Sequence, residues 1–573
     1  MKLKRTLGTT LLSLALLGFA VSAAPARAGI DFSPPQVFAT DGGGPVVAMD
    51  PQGRSTIVWA ATAKGGSFFL VRAVQLDASG APGPLHTLAT IPMPPEDTMC
   101  VCPQVAVDPS GRATAVWQTF DQEVRRIQSA QFDPAGNSEP TQLVSPRFLN
   151  AAHPQLAVDG EGWVTIAYET EWPKKRIEAV RLDPEGERGE PQILAAGGSS
   201  PAVAVGPEGT AHVAWTGEEG VESTALDAEG APVGAQLVSP PGEDAGAADI
   251  VVDSKGRPTI AWWRGLGVYE AKAVRLGADG TPGTVWNLSP PDQDVLEPIL
   301  AVDTQDRVTA VWESFEESVH TVRLGADGVP GTVHNLSGEG TFASRPQVAA
   351  AADGRVAVVW AHMPHAYIPQ PGCPPDEFHP EHDVVRAAFV APDGQPEGVY
   401  DVSAHGEQAV FPQLALNSQG LLRVTWMSFD GTYTCWEDRT RLQTSQTTLV
   451  DPPVVDPPIE PPVDPPAPPP PAGKATLRLA KKAVIKKNRV VLQAKCAGGA
   501  GTTCAGTLKL SLRSRLTLAR GRYQLAGGES RKLSLQLTNH GRRLAGSGRQ
   551  QISAKARGRG IAADVLVRLP RPR

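Results

Sequence analysis

The chain has 573 residues, with 53 Lys and Arg against 60 Asp and Glu (net −7) and 41% hydrophobic residues. That length exceeds one compact core, so several domains or a repeat array are expected; 58 Gly and 54 Pro weigh against a mainly helical protein. The near balance of charge hides a split: residues 474–573 hold 24 basic and 2 acidic residues (+22), and residues 1–473 hold 29 and 58 (−29).

At the start, Lys2, Lys4 and Arg5 precede an uncharged apolar stretch at 11–24, and Ala26-Arg27-Ala28 gives a small-x-small site before Gly29. These are the three parts of a secretory signal peptide, expected to span 1–28 and to be cleaved near Ala28. The apolar stretch is short of the ~20 residues a membrane span needs, and no later segment reaches that length. No Cys follows the cleavage region, which argues against a lipoprotein anchor. The mature protein is therefore expected to be secreted, or held at the cell surface or in the periplasm, with no transmembrane segment after cleavage. In that compartment the six cysteines favour disulfides over thiols.

From 29 to 450 one sentence is written eight times. It reads PVVAMDPQGRSTIVW (45–59), PQVAVDPSGRATAVW (103–117), PQLAVDGEGWVTIAY (154–168) and PAVAVGPEGTAHVAW (201–215). It continues as ADIVVDSKGRPTIAW (248–262), PILAVDTQDRVTAVW (298–312), PQVAAAADGRVAVVW (346–360) and PQLALNSQGLLRVTW (412–426). The final aromatics, Trp59, Trp117, Tyr168, Trp215, Trp262, Trp312, Trp360 and Trp426, are 58, 51, 47, 47, 50, 48 and 66 residues apart. Each unit reads as four short strands bounded by Gly, Pro, Asp and Ser. The first follows the Pro, the second ends in the aromatic, and the first two are joined by a D-P-x-G-R turn.

Four strands per unit, eight times over, predict an all-β protein built as an eight-bladed β-propeller, with seven blades plus an irregular unit as the alternative. The aromatics would pack between neighbouring blades. The eighth unit has a third strand at 441–447 and then runs into proline, so QVFAT (36–40) is expected to supply its fourth strand and close the ring. The segment 36–448 resembles the secreted bacterial β-propeller repeat proteins that carry P-Q-V-A-V-D-x-x-G-x-A-x-x-V-W units. Members of that family are largely uncharacterised, so the resemblance implies a fold and little about activity.

Residues 451–473 form a linker, with 12 prolines in the 22 residues from 451 to 472. Such a stretch is a polyproline II spacer. In 474–573, LKLSLRS and RKLSLQL alternate apolar and polar residues as half-buried antiparallel strands do. This part resembles the small Ig-like C-terminal β-sandwich domains of secreted proteins from high-GC bacteria, including the short loop between Cys496 and Cys504, which are expected to be bridged. Cys373 and Cys435 fall in corresponding loops of the last two repeats and are a second expected pair; Cys100 and Cys102 remain as a C-V-C pair.

Chemistry is sparser. Repeat seven carries an insertion at 361–383 holding His362, His365, His379 and His382, with Cys373 between the two H-x-x-H pairs. These four histidines are the candidate ligands for zinc or copper, and no other cofactor is expected. The recurring Asp50, Asp108, Asp159, Asp253 and Asp303 lack the D-x-D-x-D spacing of calcium loops and read as turn caps. There is no S-x-D-x-G-x-x-W box, G-x-S-x-G, H-E-x-x-H or P-loop. The reading is therefore an exported, non-catalytic binding or scaffold protein. Its acidic propeller would present a face to an extracellular protein or glycan, and its cationic tail would attach to an anionic envelope polymer. The alternative is a secreted hydrolase acting on glycan or peptide at the propeller mouth. Nucleic acid is disfavoured as a partner because Tyr523 is the one aromatic residue of the tail, leaving no stacking platform.

Overall fold

The computed structural model describes residues 30–449 and 476–568 apart from short internal stretches, the longest being 93–100, 364–383, 430–439 and 538–550. Residues 1–29, where the signal peptide is expected, and the proline-rich stretch 451–473 fall outside the described residues. Two compact units emerge, Met1–Val454 and Val455–Arg573, and every named element in both is a β-strand. Among the described residues no helix is long and apolar enough to cross a membrane.

The first unit is eight four-stranded antiparallel sheets. In seven of them the strands follow chain order; blade one, for example, runs Gly43–Met49, Ser55–Thr62, Phe68–Leu76 and Pro82–Pro92. The first strands are innermost. Gly43–Met49, Gln104–Val107, Asn150–Val158, Ser199–Val205, Ala245–Val252, Ile299–Val302, Phe342–Ala350 and Ala409–Leu416 each touch the next, and the last touches the first. The array is thus a ring with eight blades rather than seven.

Closure follows the sequence expectation. Blade eight is Ala409–Leu416, Leu421–Phe429 and Thr440–Thr448, completed by Gln36–Ala39 on its outer edge. Gln36 lies opposite Thr444 and Val37 opposite Gln443. The seam continues upstream, where the Ser33 amide donates to the Gln446 carbonyl at 2.8 Å and the Ser445 hydroxyl donates to the Ser33 carbonyl at 2.6 Å. Phe32 stacks on Phe389 of blade seven at 6.5 Å, so the N-terminal segment covers a sheet edge and ties two blades together.

All eight repeat aromatics are fully buried. Each packs on the preceding blade: Trp117 on Val58, Val71 and Ala73, Trp215 on Ala167 and Ile177, and Trp59 across the seam on Ala39, Val410 and Leu442. A second inter-blade device is polar. The third strand carries Arg181, Arg275 and Arg323 at one register, opposite Thr165, Thr259 and Thr309 of the second strand. All three are buried, and each reaches a turn of the next blade. Arg275 donates to the carbonyls of Gly325 (3.1 Å), Ala326 (2.8 Å) and Asp306 (3.2 Å); Arg323 donates to Gly354 (2.9 Å) and to the Asp303 carboxylate. Blade eight moves the guanidinium to the second strand, where Arg423 donates to the Asp77 carbonyl of blade one at 2.9 Å. A planar fork of donors suits a tight turn, whose carbonyls point outward in a fixed array.

The turn aspartates cap their own turns. Asp108 Oδ1 accepts the amides of Ser110 and Arg112, both at 2.9 Å, and Asp303 Oδ1 accepts those of Gln305 and Arg307 at 2.9 and 3.0 Å.

The second unit differs from the expected sandwich. Its strands are Thr476–Lys486, Arg489–Ala497, Thr503–Leu512, Leu516–Ala526, Ser530–Leu537, Gln551–Gly558 and Ile561–Arg568. They pair in the order first, second, fifth, fourth, third, sixth, seventh. A parallel pairing of the first with the last (Ala483 opposite Val567) then closes a seven-stranded barrel. An Ig-like sandwich would leave two sheets with free edges; here the terminal strands seal each other. Cys496 and Cys504 are bonded, with Cα atoms 5.6 Å apart. Cys102 is disulfide-bonded. Cys100, Cys373 and Cys435 lie outside the described residues, so the expected Cys373–Cys435 bridge is not described.

Candidate functional site

Antiparallel blades put the loops between strands two and three, and the connections between blades, at one end of the ring. The turns that hold the arginine clamps lie at the other. Binding groups concentrate on such loop faces because a rigid scaffold positions them while their sequence stays free to vary.

At the loop-face end of the inner strands, the residue just ahead of the repeat's proline adopts a left-handed backbone: Gly44, Cys102, His153, Ser200, Arg345 and Phe411. Pairing registers shift there, as between Ala152 and Gln155 or Ser344 and Gln347. A bulge of this kind re-aims a side chain, and five non-glycine residues holding positive φ show that the surrounding structure dictates the conformation. Seven of the eight repeats place a proline just after this position while the position itself varies, which is the signal that would have singled these residues out.

These bulges are linked from blade to blade. Glu169, buried within a second strand (Val164–Trp172), faces His153 Nδ1 at 2.8 Å and accepts the Ser200 amide of blade four at 2.9 Å. Burial pushes its carboxyl up, but the hydrogen bonds from His153 and Ser200 outweigh it and hold Glu169 below its ordinary value. The Glu169 hydrogen bond in turn raises His153. Glu313 of blade six accepts the Arg345 amide at 2.8 Å, and the Arg345 guanidinium lies over the Phe411 ring of blade eight at 4.2 Å.

On the inner strands, the second position of the repeat is Gln104, Gln155, Gln347 or Gln413 in four blades and Asp249, after Ala248, in blade five. Asp249 Oδ2 accepts the Leu300 amide of the next inner strand at 2.7 Å, and its Oδ1 accepts the Ile250 amide at 2.8 Å. Burial raises its carboxyl to about 6. With both oxygens bound to main chain, this carboxylate is a strand fastener in a place where a reactive acid would need a free oxygen.

Of the four predicted metal ligands, His362 is described and buried. Its Nε2 accepts a hydrogen bond from Arg386 at 2.8 Å, and Arg386 also pairs with Asp401 at 2.8 Å. A metal at that nitrogen would have to displace a guanidinium. His365, His379 and His382 lie outside the described residues, and among the described residues no group of three or more His, Cys, Asp or Glu is gathered to hold a metal.

Burial, with Arg386 second, drives His362 down to about 4, and burial alone does the same to His212. Their sign is clear: the unfolded chain takes up protons below about 6.5 while the folded chain stays neutral to about 4, so stability falls as pH drops through that window. His153, raised by its partner, acts oppositely, since its contribution is complete below its unfolded value and fades as pH rises through the folded one. The propeller's thermal midpoint is expected to fall as pH drops from about 6.5 to about 4, and His212→Asn to flatten that fall. An equally steep fall in the variant would contradict the assignment to His212.

On the turn face, a cavity of about 420 Å³ lies between blades six and seven, lined by Arg307, Arg323, His334, Asp393 and Gln395 among others. Arg307 Nε is committed to Asp303 at 2.8 Å and its Nη1 to the Pro392 carbonyl at 2.6 Å, so this cavity borders the clamp machinery.

No family model and no curated protein matches the chain. Among solved structures, it is similar to the BP39L lectin from Burkholderia pseudomallei, with 13% identity, 64% of this chain and 100% of that chain covered, and a TM-score of 0.43. It is also similar to the WD40 domain of SCAP from fission yeast (10%, 73% and 98%, 0.43). A third is the β-propeller domain of the Trilobed protease from Pyrococcus furiosus (12%, 64% and 98%, 0.38). At these identities the likeness is one of fold.

Proposed function

We propose that the chain is an exported, non-catalytic binding or scaffold protein whose acidic propeller offers its loop face to an extracellular ligand. In this reading the cationic C-terminal unit attaches it to an anionic polymer of the cell envelope. The observation that carries the proposal is the segregation of charge: −29 in residues 1–473 and +22 in residues 474–573, on either side of a proline-rich spacer. A polycation of that density is drawn to polyanions by its summed field, without a shaped pocket. The engagement of both Asp249 oxygens by main-chain amides supports the non-catalytic half.

The test is retention on isolated cell envelopes across a salt series. Binding of the full chain should weaken steeply between about 0.01 M and about 1 M salt, because such contacts are screened. A chain ending at residue 450 should not be retained at any salt. Retention that ignores salt, or equal retention of the truncated chain, overturns the proposal.

A further inference from the structure

We infer that Trp263, Tyr269 and Phe315, on the loop face between blades five and six, form a platform that binds a neutral sugar ring; this rests on the reading of the propeller as a ligand-binding module. The rings come from three different elements. Trp263 lies two residues before the end of the second strand of blade five (Pro258–Gly265), Tyr269 opens the third (Tyr269–Leu276), and Phe315 lies in the loop after the second strand of blade six (Val308–Glu313). Trp263 and Tyr269 meet edge to face at 5.1 Å and 79°. Tyr269 and Phe315 are near-parallel, 17° apart, with centroids at 5.8 Å. At that separation parallel rings are displaced rather than eclipsed, leaving part of each face uncovered. Tyr269 is 38% exposed and Phe315 56%.

Exposed aromatic rings usually gain rotameric freedom; these are seated. A Cβ at Gly246 would stand 2.4 Å from Trp263 Cζ2, and one at Gly265 would stand 2.7 Å from Tyr269 Cε1, so two glycines make room for two rings. The connection between the blades fixes both exposed residues at once. Asp294 Oδ1 accepts the Tyr269 amide at 2.7 Å, the Asp294 carbonyl accepts the Phe315 amide at 2.9 Å, and the Val295 amide donates to the Tyr269 carbonyl at 2.9 Å. A preorganised surface loses little entropy on binding.

The chemistry of the surface selects the ligand class. The negative faces of aromatic rings attract the weakly positive C–H groups that one side of a pyranose presents, while the sugar's hydroxyls need acceptors at the rim. Asp294, whose Oδ1 holds the Tyr269 amide, has a second carboxylate oxygen for this, and the exposed Glu316 follows Phe315 in the chain. The net charge of −29 over residues 1–473 disfavours an anionic polysaccharide at this unit, and the uncharged aromatic surface suits a neutral sugar.

The test titrates the full chain with cellohexaose, chitohexaose and a neutral mannan by calorimetry, with reducing-end release followed in the same mixtures. Saturable binding to at least one of them is expected, weakened at least about tenfold by Phe315→Ala and kept by Phe315→Tyr. Gly265→Ala, which displaces Tyr269 without removing a ring, should also weaken it. Binding to none of the three, or binding indifferent to both Phe315→Ala and Gly265→Ala, overturns the platform while salt-dependent envelope retention would still stand. Reducing-end release that survives in Phe315→Ala would instead overturn the non-catalytic reading.

Discussion

Trp215→Ala is expected to lower the unfolding free energy of the propeller by about 3–5 kcal/mol, as large-to-small changes at fully buried aromatic positions do. Trp215 is completely buried against Ala167, Ile177 and Leu194 of the preceding blade, so its loss opens a cavity at an interface between two sheets rather than inside one. Neither sheet can collapse to fill it without breaking ladder hydrogen bonds, which places the cost toward the upper end of the range. Urea unfolding checks this, with Phe148→Ala as the control, because Phe148 is 84% exposed. If both variants shift the midpoint equally, the aromatic position is not the inter-blade contact described.

Arg423→Ala is expected to cost about 2–5 kcal/mol, on the order of 1–3 kcal/mol for each buried acceptor it leaves unpaired. Arg423 is fully buried, and burial has already pulled its guanidinium down to about 10. Its Nη2 donates to the Asp77 carbonyl at 2.9 Å and to Gln446 Oε1 at 2.7 Å, so the substitution strands acceptors on both sides of the ring's seam. Leaving buried acceptors unpaired is costly in itself. Thermal unfolding of Arg423→Ala and Arg423→Lys separates charge from geometry: lysine keeps the charge and loses the fork, and should recover only part of the stability. Full recovery by lysine would show that the planar donors do not matter.

The propeller was legible because its decisive signals are local and repeated. A closing aromatic recurs in all eight repeats, a leading proline in seven and a turn aspartate in five, at fixed spacing around four alternating residues. The missing fourth strand of the last repeat also pointed to the strand that Gln36–Ala39 supplies. Arg181, Arg275 and Arg323 were not legible as clamps. On an alternating strand an arginine reads as a solvent-facing residue, and its carbonyl partners belong to the next repeat, some 28 to 51 residues away. The C-terminal barrel escaped for a related reason: the parallel pairing of Thr476–Lys486 with Ile561–Arg568 is a long-range choice that alternation cannot encode. Leu516–Ala526 is not legible as a strand in the sequence, because its ARGRY centre breaks the apolar alternation.

The site was less readable than the fold. The histidine-rich insertion drew attention by composition, yet His362, its described histidine, is held by Arg386. His153, Ser200, Arg345 and Phe411 occupy a variable position just ahead of the repeat's proline, a signal present in the sequence but visible only once positive φ and the ring are known. Trp263, Tyr269 and Phe315 come from two repeats, and their grouping exists only in three dimensions.

Every placement of a binding face depends on the ring being sealed by its own N-terminal strand. Hydrogen exchange of Thr440–Thr448, measured in a chain beginning at residue 29 and in one beginning at residue 41, tests this most directly. The amides paired with Gln36 and Val37, around Thr444 and Gln443, should be protected in the first and exchange faster in the second by the local opening free energy they lose. Equal protection in the two chains would contradict the closure and the positions assigned to both faces of the propeller.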